Sequence, residues 1–189
     1  MPDTIVSIMI GAGLAAACGF RVFVPFLVLS IAARFGHVPL SSGFEWIAST
    51  PALVAFASAT VLEVGAYYVP WLDNALDTLA TPAAILAGVA VTAAVVTDLP
   101  PVVRWGVAII AGAGMAGTVQ SATVLTRLKS SVVTGGVANP AVSTGETAGS
   151  VTASVLAVLV PVIGFILITG LLVFLFSAAR RMARARLDR

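Results

Sequence analysis

Apolar stretches, each closed by a polar or proline-rich break, divide the chain into five segments. The first, residues 5–33, is long enough to cross a bilayer with room to tilt. Its opening half, GAGLAAACG, consists of small residues that let helices approach closely. Arg21 interrupts it near the middle, and Pro25, which cannot donate to the carbonyl of Arg21, predicts a kink. The second segment, residues 51–71, follows the cap Ser49-Thr50-Pro51, carries Glu63 midway, and ends in an interfacial belt of Tyr67, Tyr68 and Trp71. The connection WLDNALDTLATP predicts a short amphipathic helix with Asp73 and Asp77 one turn apart. A third segment begins at the cap pair Thr81-Pro82 and stops at Asp98-Leu99-Pro100-Pro101. A fourth, residues 102–125, is rich in glycine, holds Gln120, and is followed by Arg127 and Lys129.

The last apolar segment, residues 140–179, is too long for one straight span. At ~1.5 Å per residue it would measure roughly 60 Å, against a hydrocarbon core of about 30 Å. Residues 155–176 suffice to cross, so residues 140–154 are expected to project into water, to bend at Gly149 or Pro161, or to form a half-helix. In the preceding GGVANPAVSTGE, Asn139 is the expected N-cap and Pro140 the first helical residue. From there Asn139, Ser143, Glu146, Ser150 and Ser154 recur at spacings that stack them on one helical face.

Composition moves the reading from helical to membrane-embedded. Only 10% of the 189 residues are charged and 59% are hydrophobic, where soluble globular proteins carry roughly 25% charged residues. The expected fold is therefore all-α, a polytopic membrane protein of five transmembrane helices with a half-helix before the last. One transmembrane domain covers residues 1–179, and residues 180–189 form a basic tail containing Arg180, Arg181, Arg184, Arg186 and Arg189. After a span, such a tail reads as the positive-inside signal rather than a nucleic-acid patch. Asp3 stands where a cleavable signal would be basic. Five spans set the N-terminus outside and the C-terminus in the cytoplasm, as a multi-pass protein of the inner membrane. Arg34, His37 and Arg104 then fall inside, while Asp3, Asp73, Asp77, Arg127, Lys129 and Glu146 fall outside. The loop holding Arg127 and Lys129 is the exception to the charge bias. GLAAACGFR (13–21) also aligns with GAGMAGTVQ (112–120), setting Arg21 against Gln120. Each is followed by a cap-proline pair and another span, an inverted repeat of helices 1–2 against 4–5.

Arg21 is the sharpest chemical signal. A guanidinium near the bilayer centre costs at least ~2.5–3.5 kcal/mol unless it is paired or hydrated. Glu63 is the expected partner, with Glu146 next, and the plainer reading is an ion pair that only fixes helix register. Glu146 and its stripe suit a cation or a proton, or form a solvated face. Asp73 and Asp77 suit an external acidic mouth, or simply a wet surface. Enzyme chemistry is not expected. His37 is the single histidine, Cys18 the single cysteine, and the glycine-rich stretches lack a P-loop lysine. No metal, cofactor or nucleic-acid partner is implied.

The run TGGVANPAVSTGE (134–146) resembles the signature of a bacterial membrane family catalogued as domain of unknown function 4126. GFRVFVP (19–25), Glu63 and PWLDNALD (70–77) fit the same resemblance. Relatives often carry Ala-Asp-Lys at the end of segment two, where this chain reads Ala66-Tyr67-Tyr68. The resemblance implies a small integral membrane protein, marks Arg21, Glu63, Asn139, Ser143 and Glu146, and supplies no activity. The function expected is a small transporter or channel-like protein for an ion or small solute, working as a homo-oligomer such as a dimer. Arg21, Glu63, Gln120, Asn139, Ser143 and Glu146 would form its polar site. The alternative is a non-catalytic structural or assembly subunit of a larger membrane complex. An intramembrane enzyme or lipid-handling protein is the weaker third reading.

Overall fold

The computed structural model describes residues 2–68 and 70–187, with the side chains at 2, 70–78, 175–176, 178–179 and 181–187 outside that description. The described residues are helical and contain no strand. In chain order the α-helices are α1 (Pro2–Cys18), α2 (Phe23–Arg34), α3 (Thr50–Ala66) and α4 (Pro70–Val95). They are followed by α5 (Pro101–Thr134), α6 (Asn139–Leu159) and α7 (Pro161–Leu187). A 3-10 turn, Glu45–Ala48, precedes α3. Among the described residues, α5 is the one helix long and apolar enough to cross a membrane by length and composition, with a mean hydropathy of 1.5.

The helix at the centre is α1. Leu14, Ala15, Ala17 and Cys18 are fully buried, and α4, α5, α6 and α7 all pack on it. Its small residues permit this. A Cβ at Gly13 would lie 2.6 Å from the Cβ of Ala157 on α6. One at Gly19 would lie 2.6 Å from the carbonyl oxygen of Ala116 on α5. Both contacts are far inside normal packing distance, so these backbones meet only because no side chain intervenes.

The first apolar segment is not a single kinked span. Residues 19–22 reverse the chain, and α2 returns beside α1. Thr92 Oγ1 donates to the carbonyl of Gly11, midway along α1, at 3.2 Å. Ser41, just past α2, donates from its backbone N–H to Ala94 at 2.7 Å and from its hydroxyl to Ala93 at 2.6 Å. The start of α1 and the end of α2 therefore share one end of the bundle, and Ile10 and Leu14 share a core with Leu29 and Ala32. Asp3 and Arg34, expected on opposite sides, lie at the same end. Pro25 causes no kink because it sits in the first turn of α2, where the missing N–H has no intrahelical partner to lose.

Successive helices alternate in direction. Thr50 at the start of α3 accepts from Arg34 Nη1 at 2.8 Å, and Glu63 near its end reaches the α1–α2 tip. The expected amphipathic helix and the third segment are one helix, α4, and Pro82 lies exposed inside it instead of following a cap. An interior proline costs a helix about 3 kcal/mol through the lost i−4 bond and the ring clash, which the packing of α4 on α1 and α5 must offset. Ser49 does cap α3, accepting from the N–H of Ala52 at 3.3 Å, and Pro101 opens α5. The fourth segment continues past residue 125 to Thr134, through a π-helical stretch Ala108–Ala113. The last segment breaks at Val160, so the bend falls at Pro161. Residues 180–187, in the stretch expected as a basic tail, continue α7. Arg21 lies in the non-helical tip whereas Gln120 lies within unbroken helix, so the aligned pair does not occupy equivalent backbone.

Candidate functional site

The α1–α2 tip delivers Arg21 into the bundle, where its side chain is 1% exposed. Its partners come from one face of α6, because positions 143, 146 and 147 follow the i, i+3, i+4 rule. Nη2 donates to the Ser143 carbonyl at 3.0 Å and to its hydroxyl at 2.6 Å. Nε donates to Thr147 Oγ1 at 3.1 Å. The same Nη2 lies 3.4 Å from Glu146 Oε2.

A second guanidinium converges on the same carboxylate. Arg127 of α5 donates from Nε to Glu146 Oε1 at 2.9 Å and Oε2 at 3.2 Å, and its Nη2 also bonds Oε2. The Tyr67 ring at the end of α3 faces both cations, with the Arg21 Cζ 3.9 Å and the Arg127 Cζ 4.2 Å from its centroid. Two like charges in a low-dielectric interior repel, and what offsets this is the shared carboxylate and the negative face of the ring. At Tyr67 the chain meets both cations with an aromatic face.

Glu63, expected to pair with Arg21, does something else. Its Oε1 accepts from the N–H of Val22 at 2.7 Å and its Oε2 from the N–H of Phe23 at 3.0 Å. These groups open α2 and have no intrahelical acceptor, and the positive end of the helix favours a carboxylate there. Glu63 makes no ion pair among the described residues. The partner of Arg21 is Glu146.

The other expected residues are spread more widely. Ser143 and Glu146 join the cluster, and Ser150 below them donates to the Ala17 carbonyl at 3.0 Å. Gln120 is buried on α5 where Gly19 packs against it, on the face that also carries Thr123 and Arg127. Asn139 is the first helical residue of α6 rather than its cap, and its amide donates to Ser131 Oγ at 3.2 Å. That bond spans the turn in which Gly135 and Gly136 adopt positive φ, 62° and 88°. Asp73 and Asp77 fall on the first turns of α4, and their side chains lie outside the described residues. Sequence reasoning missed Arg127, Tyr67 and Thr147. The usable signal was Arg127 itself, the misfit in the charge pattern, spaced seven residues after Gln120.

Three concavities surround the cluster. One of about 340 Å³ is lined by Phe20, Val119, Ala122, Val142, Glu146 and Leu171 among others. A second, about 370 Å³, has Val22, Phe23, Leu62, Glu63, Tyr67 and Leu79 in its wall. A third, about 410 Å³, runs between α3 and α6 past Tyr68, Thr144 and Thr147. Arg21 lines none of these three. The first two have largely apolar walls, each with one carboxylate among the described residues. Among the described residues no three His, Cys, Asp or Glu side chains gather as a metal site would require.

The sequence pattern of the family described as domain of unknown function (DUF4126) matches residues 8–181. No curated protein and no solved structure matches the chain.

Proposed function

The chain belongs to the domain of unknown function (DUF4126) family, and we propose that it is a multi-pass inner-membrane protein that moves an ion or small solute. The carrying observation is the arrangement of its two carboxylates. Glu63 and Glu146 are polar points in the walls of separate cavities, and both touch the Arg21 tip segment or its cluster. Broken helices with charge at the break recur where transporters bind their cargo, and irregular backbone at membrane depth is tolerated only when buried in protein. Membrane embedding is supported by large apolar side chains facing outward on several helices, such as Ile110 at 80% and Leu86 at 70% exposed. The helix directions bring Arg127, Lys129 and the basic end of α7 to one end of the bundle, which the positive-inside rule assigns to the cytoplasm. The N-terminus and the α2–α3 connection then lie outside. A homo-oligomer, such as a dimer, would form across the outward apolar faces.

One observation favours the second reading, a structural or assembly subunit: Arg21 is buried, bonded through Nε and Nη2 to α6, and lines none of the three cavities. Flux into proteoliposomes, measured with a panel of inorganic ions and small organic solutes against protein-free vesicles, separates the two. Protein-dependent flux of any member supports transport. No flux across the panel, together with stoichiometric co-purification of another membrane protein, supports the subunit.

A further inference from the structure

Glu63 is held differently from the other membrane-depth charges of this chain. Arg21 and Arg127 share Glu146, whereas Glu63 accepts from two backbone N–H groups and has no cation within ion-pair distance among the described residues. Its carboxylate forms part of the wall of the 370 Å³ cavity, which lies between the α2 start, the end of α3 and the middle of α4. Among the described residues the rest of that wall is mostly hydrocarbon and aromatic, including Val22, Phe23, Leu62, Leu79 and Ala83, with Tyr67 on the side of the Arg21 cluster. Leu62 and Leu79, at its rim, are 72% and 64% exposed, so the cavity opens on the outward apolar face.

We propose that this cavity binds lipophilic organic monocations. An apolar chamber favours the body of such a ligand by removing its hydrocarbon from water. A carboxylate with no ion-pair partner among the described residues favours its charge. The volume falls in the usual range for ligand sites, roughly 300–1,000 Å³. Anions of the same shape are excluded by the charge of Glu63. The inference rests on the transport reading for its biological meaning and names the cargo class, but binding stands or falls independently of flux.

The test uses the full-length protein in lipid nanodiscs and a matched pair of probes, tetraphenylphosphonium and tetraphenylborate, which share a shape and differ in the sign of charge. Equilibrium binding is expected to saturate for the phosphonium and not for the borate. Glu63→Gln is expected to weaken phosphonium binding by about tenfold or more, the loss of one ionic contact. Because Glu63 also caps α2, Ala83→Trp provides a second variant that fills the chamber and leaves the carboxylate and its N–H partners in place. That variant is expected to abolish saturable binding. Equal binding of both probes, or unchanged phosphonium affinity in both variants, overturns the proposal. Glu63-dependent binding without flux upholds the cation site and removes the transport reading. Flux of an inorganic ion with no phosphonium binding keeps transport and removes the cation site.

Discussion

Arg21 Nη2 stands 3.4 Å from Glu146 Oε2, and the two side chains are 1% and 6% exposed. The same guanidinium holds Ser143 and Thr147, so it ties the α1–α2 tip to α6. Arg21→Ala leaves buried Ser143, half-buried Thr147 and part of Glu146 without their donor. The expected loss is about 3–5 kcal/mol in reversible unfolding from mixed detergent micelles. Arg21→Lys keeps the charge but loses the planar fork, and is expected to fall between the two. Equal stability of Arg21→Ala and wild type would mean the contact holds nothing together.

Close backbone approach gives a sharper contrast. A methyl at Gly19 would meet Val119 Cβ and the Ala116 oxygen at 2.6 Å, whereas one at Gly65 meets nothing within 4 Å. Gly19→Ala is therefore expected to destabilise by about 1–3 kcal/mol through overpacking. Gly65→Ala is expected to be neutral or to add up to about 1 kcal/mol by lowering backbone freedom. Thermal unfolding of the two variants in detergent measures the difference, and a reversed order would contradict the described α1–α5 contact.

The hairpin fixes which ends lie together. Single cysteines in place of the exposed Asp3 and His37, in a Cys18→Ala background, are expected to react with a membrane-impermeant maleimide from the same side. A cysteine in place of the exposed Lys129 is expected to react only from the other side. Opposite-side labelling of positions 3 and 37 would restore a single span over residues 5–33.

Much of the helical frame was legible in sequence. Ser49 capped α3, the double proline opened α5, and residues 143, 146, 150 and 154 turned to the buried face of α6 as their spacing required. The reversal at residues 19–22 was not legible, because hydropathy reports whether a residue avoids water and not which way the chain turns. GAGLAAACGFRVFVP is continuous in that respect, and what turns it is a long-range fit of Gly19 against α5. Glu63 was assigned to Arg21 by charge alone, although the unpaired N–H groups opening α2 compete for the same carboxylate and lie nearer. Arg127 was hidden by an early end to the fourth segment, since Thr126 to Thr134 is polar enough to read as loop while remaining helical.

Flux through reconstituted protein carrying Glu63→Gln or Glu146→Gln bears most directly on whether the two cavity carboxylates serve transport. Glu146→Gln is expected to be the less stable of the two, since Arg21 and Arg127 lose their shared carboxylate. In protein matched to wild type by helix content and elution, flux is expected to fall by about tenfold or more in both, as loss of an intramembrane charge on the pathway implies. Folded variants that transport as wild type would contradict the assignment of the pathway to Glu63 and Glu146, leaving those carboxylates to hold α2 and Arg127 in place.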